Sequence, residues 1–196
     1  LNLKSSRVHT YVGLQPSVPF DQLLPDIQAR CLTDERLAAA LQPPVRGLPQ
    51  FRILCGNMQR ECAESVDASD IAYLLERVAS DVDEIVIDVS AYLDNAATLH
   101  CLTQPWKRYC VTTNAVQHFA HDYRAGIGRL QTMYRLPIQF NQIYVRIMPG
   151  EPYTIQQISK VMGIGDVEAC PQVSGLGEAL RKGRYLDAIA MQREAA

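Results

Sequence analysis

Glu84-Ile85-Val86-Ile87-Asp88 is a run of β-branched residues closing on a carboxylate. Branched side chains crowd a helix at Cβ and pack well on a pleated surface, so the run predicts a buried strand. Ahead of it, Ile71, Leu74, Leu75, Val78 and Ala79 recur at helical spacing behind Ser69 or Asp70 as the cap. Further back, Phe51 to Cys55 predicts a strand halted by the turn pair Gly56-Asn57. Beyond Asp88 the alternation continues, with a helix over Asp94 to Leu102 and a buried strand over Arg108 to Thr113. A longer helical stretch spans 117–134, weakened by Gly126 and Gly128. Gln142 to Ile147 predicts a further strand, stopped by Met148-Pro149-Gly150. Thr154 to Met162 predicts a short helix whose end at Gly163 suits a left-handed cap. Val167 to Cys170 predicts a last strand before Pro171, and the tail from Leu176 is helical up to a break near Gly183.

Strand and helix alternating in this way imply an α/β fold with a mostly parallel sheet. The strands are almost continuously apolar, as when helices cover both faces, so a three-layer sandwich is expected. There is no internal repeat. Gln42 to Pro49, with Pro43, Pro44 and Pro49, predicts a loop inside one domain and not a linker.

The 196 residues carry 19 Lys and Arg against 21 Asp and Glu, a formal charge of −2 that excludes a surface built as a polycation for nucleic acid. A hydrophobic fraction of 47% with 20% charged residues excludes a disordered chain. No run approaches the roughly 18 apolar residues of a membrane span, and Leu1 to Ser6 lack the apolar core of a signal peptide. The six cysteines, Cys31, Cys55, Cys62, Cys101, Cys110 and Cys170, form no Cys-x-x-Cys pair. They read as reduced core thiols of a cytoplasmic protein.

In open parallel sheets, ligands sit beyond the carboxyl ends of the strands. Asp88 falls there, and a carboxylate so placed can hold Mg²⁺ through water beside a nucleotide phosphate. It can equally cap the turn at the end of a strand. Asp83 to Ala91 with Leu93-Asp94 resembles the Walker-B region of MinD/ParA-type deviant P-loop ATPases. The similarity continues in order. Cys110-Val111-Thr112-Thr113-Asn114 is similar to that family's next strand and polar exit, and Asp122 to an Asp in its next helix. Ile143 to Ile147 with Pro149 to Tyr153 resembles the strand whose end meets the base, and Pro171 with Glu178 to Arg184 the closing proline loop and helix. Leu1-Asn2-Leu3-Lys4 and Tyr11-Val12-Gly13-Leu14 resemble the family's sequence just after its first switch aspartate. The opening and the Ile-Val-Ile-Asp strand are most similar to the CpaE/TadZ group, which positions pilus-assembly machinery.

The resemblance implies ATP with Mg²⁺, Asp88 on the Mg²⁺ side, and Val145, Arg146 and the loop after Pro171 toward the base. It implies a cytoplasmic bacterial homodimer that marks a location for an assembly or partition apparatus. It also implies that residues 1–196 form one domain without the family's first strand, phosphate loop and first helix. There are departures. No G-x-x-x-x-G-K-[ST] sequence occurs, Ser90 stands where the family has Pro, and Val145 replaces an adenine-reading Asn. The chain as given is therefore expected neither to bind ATP tightly nor to hydrolyse it. A degenerate, non-hydrolytic scaffold working through protein binding is the alternative.

Other residues invite chemistry less strongly. His118 and His121, three apart on a helix, could share a metal but lack a third ligand. Cys101 and Cys110 flank a loop with Trp106 and Tyr109 and have no base beside them. Arg181, Lys182 and Arg184 could touch DNA, or else satisfy helix-terminal carbonyls, the reading favoured here. Tyr185, Leu186, Ile189 and Ala190 make an apolar stripe with Arg193 as its later cation, weak for a membrane and adequate for packing or dimerisation.

Overall fold

The computed structural model describes residues 3, 6–43, 51–89, 91, 93–171, 173 and 175–187. Leu1, Asn2 and Lys4, most of the Gln42–Pro49 loop, Ser90, and Ile189, Ala190 and Arg193 lie outside the described residues. The chain divides into two units, Leu1–Cys101 with Val173–Ala196, and Leu102–Gln172.

The first unit opens with α1 (Val8–Tyr11), α2 (Phe20–Gln28) and α3 (Asp34–Ala40). A two-residue ladder comes next, in which β1 (Leu41–Gln42) pairs antiparallel with β2 (Ile53–Leu54). A 3₁₀ turn over Arg60–Ser65 then leads into α4 (Ala68–Ala79). Phe20, Leu23 and Ile27 of α2, Leu37 of α3, and Ile71 and Leu74 of α4 are buried in one core. Their three- and four-residue spacing makes a single apolar stripe on each of α2 and α4.

The start of α4 corrects the expectation of a Ser69 or Asp70 cap. The cap is Asp67, whose carboxylate accepts from the Asp70 N–H at 2.9 Å while the Asp70 carboxylate accepts from the Asp67 N–H at 3.1 Å. This reciprocal box satisfies two otherwise orphaned donors. Asp70 is thus the third helical residue; it is buried and meets the Arg30 guanidinium at 3.0 Å.

The Glu84–Asp88 run forms no ladder, contrary to the predicted strand. Among the described residues no strand pairs with it. Ile87 and Val89 still pack against the core, whereas Val86 is 84% exposed. The alternation of a strand is present, and among the described residues no strand partners it.

The division between units falls within α5 (Ala96–Thr103). In the second unit β3 (Tyr109–Thr113) leads to a helical run that winds as a π-helix over Gln117–Ala125 and continues as α6 (Gly126–Met133). Then come β4 (Gln142–Arg146), α7 (Ile155–Met162) and β5 (Val167–Ala169). The three strands form one parallel sheet in the order β3-β4-β5. Its register pairs Cys110 with Ile143, Thr112 with Val145, and Ile143 with Val167. Cys110, Ile143, Val145 and Val167 belong to a core built with Phe119 and Ile158, while Tyr109 and Val111 on the opposite face are 55% and 71% exposed.

The α7 boundaries obey local rules. The Thr154 hydroxyl accepts from the Gln157 N–H and the Gln157 side-chain carbonyl from the Thr154 N–H, at 3.3 and 2.9 Å. Gly163 ends the helix at φ 69°, a conformation strained for any residue with a Cβ. The chain then re-enters the first unit and closes with α8 (Leu176–Arg181). Beyond it Gly183 lies so close to Gly13 that a Cβ on Gly13 would stand 2.8 Å from the Gly183 carbonyl oxygen.

Candidate functional site

A parallel sheet brings all its carboxyl ends to one edge. In the second unit that edge is formed by Thr113-Asn114, Arg146-Ile147 and Cys170-Pro171. The Asn114 N–H donates to the Arg146 carbonyl at 3.3 Å, and the Cys170 N–H to the Val145 carbonyl at 2.8 Å. Val145, Arg146 and Pro171 therefore meet along this edge, although Pro171 is distant from the other two in sequence. Arg146 and Pro171 are exposed. Val145 is 0% exposed, its side chain packed with Phe119, Ile143 and Ile158, so it offers this edge only its main chain.

Asp88 belongs to the first unit. It is exposed and stands at the end of the Ile85-Val86-Ile87 segment, which forms no ladder.

The edge also holds two arrangements of residues already named, the polar exit Thr113-Asn114 and His118, whose contacts the sequence does not reveal. The Thr113 hydroxyl and His118 Nδ1 lie 2.7 Å apart, and the Ala115 N–H donates to the same hydroxyl at 3.2 Å. The second feature is Asn114, 2% exposed. Its Oδ1 accepts from the Met148 N–H at 2.7 Å, and its Nδ2 donates to the Glu151 and Tyr153 carbonyls, each at 3.4 Å. A polar residue immediately after an apolar strand is the sole signal in the sequence, because partners 34 to 39 positions away leave no local pattern.

His118 and His121 lie three apart in the π-helical run, and His118 Nδ1 is the nitrogen beside the Thr113 hydroxyl. No group of three or more His, Cys, Asp or Glu that could hold a metal occurs among the described residues. Burial pushes the Cys110 thiol up to about 11 and also raises Cys101, so neither is a ready thiolate. Cys170 is raised as well, burial outweighing the opposing pull of Arg146. In the basic cluster, Lys182 pairs with Glu178 at 2.6 Å and Arg184 with Asp187 at 2.7 Å. Among the described residues no helix is long and apolar enough to cross a membrane.

Mg²⁺-ATP sets demands that these residues meet only in part. A triphosphate needs a loop of converging N–H groups and a lysine, and the sequence contains no such loop. Asp88 supplies one carboxylate. The phosphate side is thus unmatched by this chain's own residues.

No family model matches the chain, and no curated protein matches it. Among solved structures it is similar to the crystal structure of a ParA family ATPase from Chlorobium tepidum TLS. The two share 21% sequence identity over 97% of this chain and 76% of that chain, with a TM-score of 0.76. The chain therefore has an α/β fold of the kind seen in that ParA family ATPase.

Proposed function

We propose that the chain is the larger part of a MinD/ParA-like P-loop ATPase domain, of the CpaE/TadZ kind. In this reading it is a cytoplasmic three-layer sandwich that dimerises when two nucleotides are held between subunits. It then marks a cellular position for an assembly or partition apparatus. The observation that carries the reading is the parallel β3-β4-β5 edge within a fold similar to a ParA family ATPase along 97% of the chain. A phosphate loop upstream of Leu1 would supply the triphosphate contacts, with Asp88 on the Mg²⁺ side and Arg146 and the Pro171 loop toward the base. Nucleotide between subunits favours the dimer, and its hydrolysis releases it.

A second reading is a non-hydrolytic scaffold of the same fold, acting through protein contacts. The burial of Val145, where the family reads adenine with an amide, favours it.

The test is binding of a fluorescent ATP analogue to the full-length protein, with sedimentation measured with and without ATP. The ATPase reading expects saturable binding, an ATP-dependent dimer, and loss of both in Asp88→Ala. Absence of both in the wild type supports the scaffold. The 196-residue chain alone is expected to show no micromolar binding; such binding, lost on Asp88→Ala, would overturn the expectation that phosphate contacts must come from elsewhere.

A further inference from the structure

The segment after β4, Met148-Pro149-Gly150-Glu151-Pro152-Tyr153, is poorly equipped to hold its own shape. Its two prolines lack N–H groups, and Gly150 sits at φ 85°. Within the segment one main-chain bond is present, from the Glu151 N–H to the Met148 carbonyl at 3.4 Å. Its support comes from outside, and much of that is one side chain. The Asn114 amide has one oxygen and two N–H donors; the oxygen takes the Met148 N–H, and the NH₂ group serves the Glu151 and Tyr153 carbonyls. Tyr153 adds an apolar anchor, its ring edge-on to Phe119 with centroids 5.2 Å apart.

Few side chains can replace this amide. Aspartate has no donors for the Glu151 and Tyr153 carbonyls and would face both with negative charge. Alanine would leave three main-chain groups without their partner. Such losses in a buried setting are costly. The arrangement fixes the loop from its inner side and leaves its outer side, beside exposed Arg146, for contact.

We propose that Asn114 is the positioning residue of the ligand-reading loop at this edge. It sets the main-chain geometry by which Met148–Tyr153 recognises a nucleobase, a task the buried Val145 side chain cannot perform. The inference rests on the nucleotide reading of the chain's function. Main-chain N–H and carbonyl groups discriminate between bases only when held at fixed positions. Loosening the loop therefore lowers selectivity, beyond any general loss of affinity.

The experiment compares wild type, Asn114→Ala and the isosteric Asn114→Asp in the full-length protein. It measures hydrogen exchange together with the affinities of fluorescent ATP and GTP analogues. Exchange at Met148 is expected to accelerate by about tenfold or more in Asn114→Ala. Asn114→Asp keeps the oxygen that accepts from Met148 and is read at Glu151, whose N–H bond lies inside the loop. Glu151 exchange is expected to rise in both variants while the β3 and β4 amides keep their protection. The ratio of the two nucleotide affinities is expected to move toward one. Should Asn114→Ala fail to fold, Asn114→Asp, with nearly unchanged volume, carries the test. Unchanged Glu151 exchange overturns the proposal, and so does an unchanged affinity ratio in a loosened loop; either leaves the nucleotide reading standing. A wild type that binds neither analogue defeats that reading and this inference together.

Discussion

Ile85-Val86-Ile87-Asp88 and Ile143-Tyr144-Val145-Arg146 are similar in composition, each a β-rich run ending on a charge, and they meet opposite fates. The second is the central strand of a parallel sheet, paired on both sides, with Ile143 and Val145 both 0% exposed. The first has no ladder among the described residues, and Val86 is 84% exposed. Residue preference cannot account for the difference, since Val and Ile favour strands in both. The difference lies in the supply of neighbours. β4 has β3 and β5 to satisfy its main-chain groups and the Phe119–Ile158 core to cover one face. The 84–88 run has a core under Ile87 but no strand beside it among the described residues. Strand structure is a property of pairs, and one half of a pair is only an extended segment.

Substitutions in the two runs should separate most sharply in stability. Ile143→Ala removes fully buried methyl and methylene groups and is expected to cost about 2–5 kcal/mol in denaturant unfolding. A cost under about 1 kcal/mol would show that the sheet core is looser than its burial implies. Thr154→Ala should remove the cap of the helix that covers β4 and cost about 1 kcal/mol, with Thr154→Ser retaining most of the stability. Val86→Ala, at the other run, should stay within about 0.5 kcal/mol of wild type.

The capping box of α4 offers a pH-dependent comparison within the first unit. Hydrogen bonds from Ser69 and from the Asp70 N–H hold the Asp67 carboxyl below its ordinary value. A lowered folded-state pKa stabilises above the ordinary carboxylate pKa and loses that contribution as pH falls through the folded one. Wild type should therefore exceed Asp67→Ala in melting temperature at neutral pH, and the gap should close below the usual carboxylate value of about 3.9. A gap independent of pH would mean the carboxylate is not acting as the cap. The smallest effect is a matter of rate alone. With its thiol near 11, Cys110 should react with iodoacetamide far more slowly at pH 8 than exposed Cys31, as mass spectrometry of timed samples would show.

Much of the second unit is legible in the sequence because its signals are local. The Gln142–Arg146 strand is bounded by Met148-Pro149-Gly150, and the α7 helix by Thr154 and Gly163, each with a short-range physical cause. The lack of a ladder over 84–88 among the described residues is not legible, because apolar alternation reports burial and says nothing about a neighbouring strand; Ile87 is indeed partly buried. The π-winding of Gln117–Ala125 is equally hidden, since its side chains suit either pitch. Asp67 escapes a reading by residue type because Ser69 and Asp70 are equally good caps. At the candidate site, strand order places Arg146 and Pro171 on the carboxyl edge, whereas Asn114 acts through bonds to Met148, Glu151 and Tyr153 that only the folded chain reveals.

Native-state hydrogen exchange of residues 84–88 and 142–146 in the same sample tests the comparison most directly. Main-chain amides of 85–87 are predicted to exchange far faster than the bonded amides of 142–146, which are protected to the level of global unfolding. Equal protection in the two runs would contradict this, because residues 84–88 would then have a strand partner after all.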